Sequence, residues 1–255
     1  GVTFFGFKRF SYTPTNNNMK RFSIYMAFCH FSLLSLPQTK PNTLYLLPGL
    51  GSTSHLFDRM DFDSQYTIQH IDYPVPDSGA TMTSYAHVLA KQIDTTEPFA
   101  LIGTSIGGML AVELADILNP TKVFIIASAK TRDEFPPRYR FQRTIPVHKL
   151  VGENLILNST RVLQPIVEPD SKCDQNVYQA MLDDKDPMFM KRAVEMILLW
   201  DRTNYSDAVV HIHGTKDHTL PFRCVDADYV IEDGSHMMTL TRADEILQII
   251  QFELE

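Results

Sequence analysis

The chain has 255 residues, 44% of them hydrophobic and 21% charged, with a formal net charge of −7 at pH 7. This length suits one large α/β domain with a sizeable core, and the acidic balance, with no basic stripe to offset it, speaks against a nucleic-acid partner. Its three cysteines, Cys29, Cys173 and Cys224, are too scattered for a disulfide framework or a metal knuckle, so a reducing, cytoplasmic setting is expected.

Residues 1–40 read as N-terminal edge strands or an extension. Val2 to Tyr12 is rich in aromatics, Asn16-Asn17-Asn18 is a turn signal, and Arg21 to Phe31 could return as a second strand. Residues 19–36 also resemble a signal peptide, with Met19-Lys20-Arg21 ahead of an apolar stretch. Ser23, Cys29, His30, Ser32 and Ser35 interrupt that stretch, no small-x-small site precedes Pro37, and the run is short for a membrane span.

From residue 43 the pattern becomes regular. Thr43 to Leu47 is an apolar strand ending in Pro48-Gly49-Leu50-Gly51-Ser52, with a helix expected from about Ser54 to Met60. Tyr66 to Ile71 alternates like a strand. Thr83 to Ile93 carries Tyr85, Val88, Leu89 and Ile93 at helical spacing, with Thr83 or Ser84 as the expected cap. Phe99 to Ile102 is a short apolar run, and Gly108 to Leu118 an amphipathic helix stopped by Asn119-Pro120. Lys122 to Ala127 is the next strand, the sixth if the two N-terminal edge strands are counted.

The alternation then stops. Residues 130–205 carry Pro136, Pro137, Pro146, Pro165 and Pro169, and a helix from Pro187 to Trp200 with an apolar face. A proline-punctuated helical insertion at a strand end reads as a lid or cap. Ala208 to His213 and Asp228 to Ile231 resume the strands, and Ala243 to Leu254 closes with a helix. Strands alternating with helices require crossover connections, so the sheet should be mostly parallel and flanked by helices. The core is then 1–129 with 206–255, and the cap 130–205. Sites in such sheets lie at the carboxyl ends of the strands.

Gly103-Thr104-Ser105-Ile106-Gly107 stands at one of those ends, between an apolar strand and a helix. A serine on so tight a turn has its hydroxyl raised, and the glycines keep side chains out of the strand–helix contact. Two later stretches also follow strands. His213-Gly214-Thr215-Lys216-Asp217-His218-Thr219-Leu220-Pro221 has the form Gly-x-x-Asp-x-x-x-Pro, and Gly234-Ser235-His236 follows the last strand.

In this order, over about residues 40–255, the chain resembles the α/β-hydrolase family of serine esterases and lipases with a helical lid. The resemblance implies Ser105 on a nucleophile elbow, His236 as the base, Asp217 as the acid completing a catalytic triad, and Asp233 as the fallback acid. It also implies an oxyanion hole from the backbone N–H groups of Leu50 and Ile106. Where the family usually has His-Gly, this chain has Pro48-Gly49, which makes Leu50 a weaker assignment than Ile106. The expected activity is that of a carboxylesterase-like hydrolase acting on an ester or thioester of a small or acyl-chain substrate. The alternative is a lyase, a cofactor-free peroxidase or a ligand-binding protein on the same fold.

Neither cofactor nor metal is expected. His211, His213, Asp217 and His218 resemble a metallo-hydrolase cluster, but three residues rather than one separate His213 from Asp217. Lys130 and Arg132, at a strand end, are the candidates for the extra proton donor that a lyase would need. Arg138, Arg140 and Arg143 in the cap could hold an acidic substituent or form a solvated basic turn. The oligomeric state is open.

Overall fold

The computed structural model describes residues 40–139 and 186–255. The expected N-terminal edge strands or extension, and the middle of the expected cap, therefore lie outside the described residues. The chain divides between Gln38 and Thr39, and the fold below is that of the second unit.

Six strands form one all-parallel sheet: β1 (Thr43–Leu47), β2 (Thr67–His70), β3 (Phe99–Thr104), β4 (Lys122–Ile126), β5 (Val209–Gly214) and β6 (Tyr229–Ile231), in the order β2-β1-β3-β4-β5-β6. The chain leaves β1 for one edge, then returns to place β3 on the other side of β1. That reversal opens a crevice beyond the carboxyl ends of β1 and β3, where Leu47 and Gly103 are register partners.

Among the described residues the α-helices are α1 (Met82–Leu89), α2 (Ile106–Leu118), α3 (Pro187–Leu199), α4 (Met238–Thr241) and α5 (Ala243–Leu254). Strand residues alternate between two apolar layers, as burial on both faces of a parallel sheet demands. Tyr45, Leu47, Leu101, Val123 and Ile125 join α1, α2 and α3 on one side. Leu44, Leu46, Ile102, Phe124 and Ile126 join α4 and α5 on the other. Phe124, wholly buried, contributes about 1.5–3 kcal/mol through the apolar surface it removes from water.

Two departures from the sequence expectation have a plain chemical cause. α1 is capped by Thr81 rather than Thr83 or Ser84. Thr81 Oγ1 accepts from the Ser84 N–H at 3.0 Å, and Ser84 Oγ accepts from the Thr81 N–H at 2.9 Å, so the reciprocal pair sets the start one step earlier. The segment after β1 is a single 3-10 turn, Ser54–Phe57, because its backbone bonds close over three residues: Leu56 to Thr53 and Asp58 to His55. It still buries Leu56 and Phe57. α2 ends as expected, at Asn119 in the left-handed conformation with φ 53°.

Of residues 130–205, expected to form a cap, the described part is tied to the sheet and its helices. Asp186 caps α3 by accepting from the Phe189 N–H at 2.8 Å. Phe189 stacks on Tyr73 with ring centroids 5.9 Å apart, and Trp200 Nε1 donates to Glu113 Oε1 at 2.7 Å. Among the described residues no helix is long and apolar enough to cross a membrane.

Candidate active site

Ser105 sits between β3 and α2 with φ 55° and ψ −121°. A non-glycine residue in that region is strained by about 1–3 kcal/mol, so the surroundings must hold it. They do so from both sides: the Ser105 N–H donates to the Ile126 carbonyl at 3.0 Å, and the Ser105 carbonyl accepts from Ser128 Oγ at 2.6 Å. The neighbouring glycines are required by contact rather than flexibility. A Cβ on Gly103 would lie 2.3 Å from the Gly107 carbonyl oxygen, and one on Gly107 would lie 2.1 Å from that of Leu47.

The acid and base loops meet in the same way. A Cβ on Gly214 would lie 2.2 Å from the Gly234 carbonyl oxygen, and the Lys216 N–H donates to that oxygen at 2.9 Å. This contact brings together three residues from three strand ends. His236 Nδ1 is 2.7 Å from Asp217 Oδ2, and His236 Nε2 is 3.0 Å from Ser105 Oγ. A carboxylate can only accept, so Nδ1 carries the proton and Nε2 presents its lone pair to the serine hydroxyl. Burial alone would raise the Asp217 carboxyl. The His236 and His213 imidazoles and the Leu220 N–H outweigh it and hold the pKa below the ordinary 3.8. Asp217 Oδ1 accepts from the N–H groups of Thr219 and Leu220, both at 2.8 Å. Asp233, the fallback, is turned away and pairs with Lys216 at 2.9 Å.

Leu50 lies in the loop after β1, and Ile106 directly follows Ser105. Ile106 opens α2, where the first N–H groups have no acceptor within the helix. Gly49 lies so close that a Cβ on it would be 3.4 Å from Ser105 Cβ. The loop is held by Tyr73, whose hydroxyl donates to the Pro48 carbonyl at 3.1 Å, and by a turn in which the Ser52 N–H donates to Gly49 at 3.0 Å.

Other side chains brace this arrangement, and spacing gave no sign of them. Arg138 donates to the backbone carbonyls of His218 and Thr219, so this arginine grips the loop that carries Asp217. Thr104 and Thr239 share a buried hydroxyl contact at 2.9 Å, linking the serine strand to the helix after His236. Glu113 on α2 accepts from Thr83 and Trp200 and lies 3.3 Å from Arg202. Arg140 and Arg143 lie outside the described residues. Lys130 Nζ stands 4.8 Å over the Tyr205 ring and 3.9 Å from Asp226, and Arg132 lies 3.9 Å from Asp133.

Among the described residues no group of three or more His, Cys, Asp or Glu side chains is arranged to hold a metal ion. His211 and His213 instead hydrogen-bond to each other at 3.1 Å, and His213 Nε2 reaches the Leu220 carbonyl at 2.8 Å.

A family model described as the alpha/beta hydrolase family matches residues 29–249. No curated protein matches the chain. Among solved structures, the enol-lactonase from Burkholderia xenovorans LB400 is similar with a TM-score of 0.64 at 15% identity, covering 86% of this chain and 94% of that one. A lipase-esterase related protein from Clostridium acetobutylicum ATCC 824 has a TM-score of 0.61 at 18% identity, covering 84% and 95%. The RedJ thioesterase of the prodiginine pathway in Streptomyces coelicolor has a TM-score of 0.58 at 15% identity, covering 86% and 96%. At these identities the likeness is one of fold.

Proposed function

The chain belongs to the alpha/beta hydrolase family, and from that premise we propose that it is a serine hydrolase cleaving a carboxylic ester or thioester of a small or acyl-chain substrate. The observation that carries this reading is the unbroken chain Ser105 Oγ, His236, Asp217, with spacings of 3.0 and 2.7 Å. The names of the structural neighbours, an enol-lactonase, a lipase-esterase related protein and a thioesterase, support an activated acyl carbon as the target.

The roles follow from where charge develops. Ser105 Oγ attacks the carbonyl carbon while His236 Nε2 takes its proton. Asp217 keeps the imidazole in the tautomer that can accept and stabilises the imidazolium once it forms. The N–H groups of Ile106 and Leu50 receive the oxyanion, a donor of this kind being worth about 3–4 kcal/mol in the transition state. Collapse of the tetrahedral intermediate breaks the bond to the alcohol or thiol, which leaves with the proton from His236. Water, deprotonated by the same nitrogen, then releases the acid from Ser105. The reaction needs no cofactor, and the cap, residues 130–205, is the part that would shape the acyl pocket.

The test is hydrolysis of short p-nitrophenyl esters by the purified chain. Ser105→Ala should remove nearly all turnover. Turnover that survives this substitution would overturn the assignment, and a folded wild type without turnover would favour the lyase or ligand-binding reading.

A further inference from the structure

β5 reads Val209-Val210-His211-Ile212-His213-Gly214. Its two histidines alternate with Val210 and Ile212, so both point to the face that Val209 shares with α2 and α3, and both are fully buried. Two imidazoles inside a core need partners that justify their desolvation. The partner of His213 is the carbonyl of Leu220, 2.8 Å from Nε2. A carbonyl only accepts, so His213 Nε2 carries the ring proton and Nδ1 is left as an acceptor. His211 Nε2, 3.1 Å from that Nδ1 with the rings near perpendicular at 85°, is then the donor. This leaves His211 Nδ1 as the lone pair, an atom with no hydrogen-bond partner among the described residues, with the Ser128 and Asp226 backbone beside the ring. Each proton in the pair is thereby fixed by its neighbour.

We propose that His213 is a positioning residue for Asp217, acting through the Leu220 carbonyl, with His211 fixing the tautomer in which it does so. The proposal rests on the reading of Ser105, His236 and Asp217 given above. Leu220 is the hinge of the argument. Its N–H donates to Asp217 Oδ1 at 2.8 Å while its carbonyl is gripped by His213, so the turn that aims the carboxylate is anchored in the interior of β5. His213 Nε2 also lies 3.5 Å from Asp217 Oδ2, the oxygen facing His236. A charge on His213 there would compete with His236 for the carboxylate, so the ring must act neutral. Burial does push both histidines below the ordinary imidazole value. The charged or titratable groups near the pair are Asp217, His236 and Lys130.

The experiment compares His213→Leu, which keeps apolar bulk but cannot donate, with His213→Gln, whose amide nitrogen can replace Nε2. Three readouts are taken on the full chain: kcat against KM for a short p-nitrophenyl ester, the acid limb of the pH profile, and the low-field NMR resonance of the His236 Nδ1 proton. His213→Leu should lower kcat by at least about tenfold with KM within about twofold, and move or broaden the resonance, because a misaimed carboxylate is felt in the transition state. His213→Gln should recover kcat to within about threefold of wild type and restore the resonance. Wild-type kcat and resonance in a folded His213→Leu would overturn the proposal, as would equal losses in the two variants. If His213→Leu fails to fold, His213→Asn replaces it, its amide being too short to reach Leu220. The Ser105→Ala control tells the two failures apart. If that variant keeps wild-type turnover, the underlying reading has failed, whereas the His236 resonance still reports on His213 without any substrate.

Discussion

Gly214 and Gly234 touch backbone to backbone, so close that a single Cβ on Gly214 would lie 2.2 Å from the Gly234 carbonyl oxygen. That contact sets the distance between the loop carrying Asp217 and the loop carrying His236. Gly214→Ala should therefore act on activity as well as on stability. The expected result is a loss of about 1–3 kcal/mol in a urea titration, as for other overpacked sites, with a fall in kcat of about a hundredfold. A variant with normal kcat would mean that the two loops can part without moving the Asp217–His236 bond.

Asp217→Asn tests the acid directly. An asparagine keeps the shape of the turn but can leave the wrong imidazole nitrogen protonated. The expected fall in kcat is roughly 10³–10⁴-fold, with KM little changed. Asp233→Asn should do nothing comparable, because Asp233 is paired with Lys216. The reverse ranking in ester hydrolysis would transfer the role to Asp233.

Acid should weaken the fold through β5. The buried rings of His211 and His213 hold their pKa below the 6.5 expected of an unfolded chain. As the pH drops under 6.5 the unfolded state takes up these protons first. Stability is therefore flat above that value and falls below it, by up to about 1.4 kcal/mol per pH unit for each histidine. Urea midpoints measured across this range should slope accordingly, and His213→Gln, with one titrating ring fewer, should show a shallower slope. An unchanged slope in that variant would contradict the assignment.

Glu113→Ala should cost about 1–3 kcal/mol, because it leaves the buried Trp200 indole without its acceptor and removes one of two carboxylates from Arg202, which keeps Asp116. Thermal or urea unfolding measures this directly. A loss below about 1 kcal/mol would show that the network relaxes around water.

Much of the fold was legible because its signals are local. Strands such as Phe124 with its neighbours are apolar on both faces, and α2 is bounded by Ser105 and Asn119, whose turns have local chemical reasons. Ser105, Asp217 and His236 can be singled out together because each follows a strand and parallel strands end on one side of the sheet, and the structure brings the three within hydrogen-bond reach. The braces were not legible. Arg138 meets His218 across 80 residues of sequence, and Thr104 meets Thr239 across 135. Such pairings are set by which helices cross the sheet and leave no periodic trace. His211 and His213 are visible in the sequence and their spacing speaks against a metal cluster, but spacing along a strand tells which residues share a face and not what they bond to. Thr81 is not among the expected caps, Thr83 and Ser84, because all three are capping types and only the bond between Thr81 and Ser84 tells them apart.

The most direct test of the account is fluorophosphonate labelling of the folded chain followed by peptide mapping. A serine activated by His236 and Asp217 should react, giving one modified peptide that contains Ser105, and the label should disappear in Ser105→Ala and drop sharply in His236→Ala. Folded protein that takes up no label, or is labelled on another serine, would contradict the claim that Ser105 is the nucleophile.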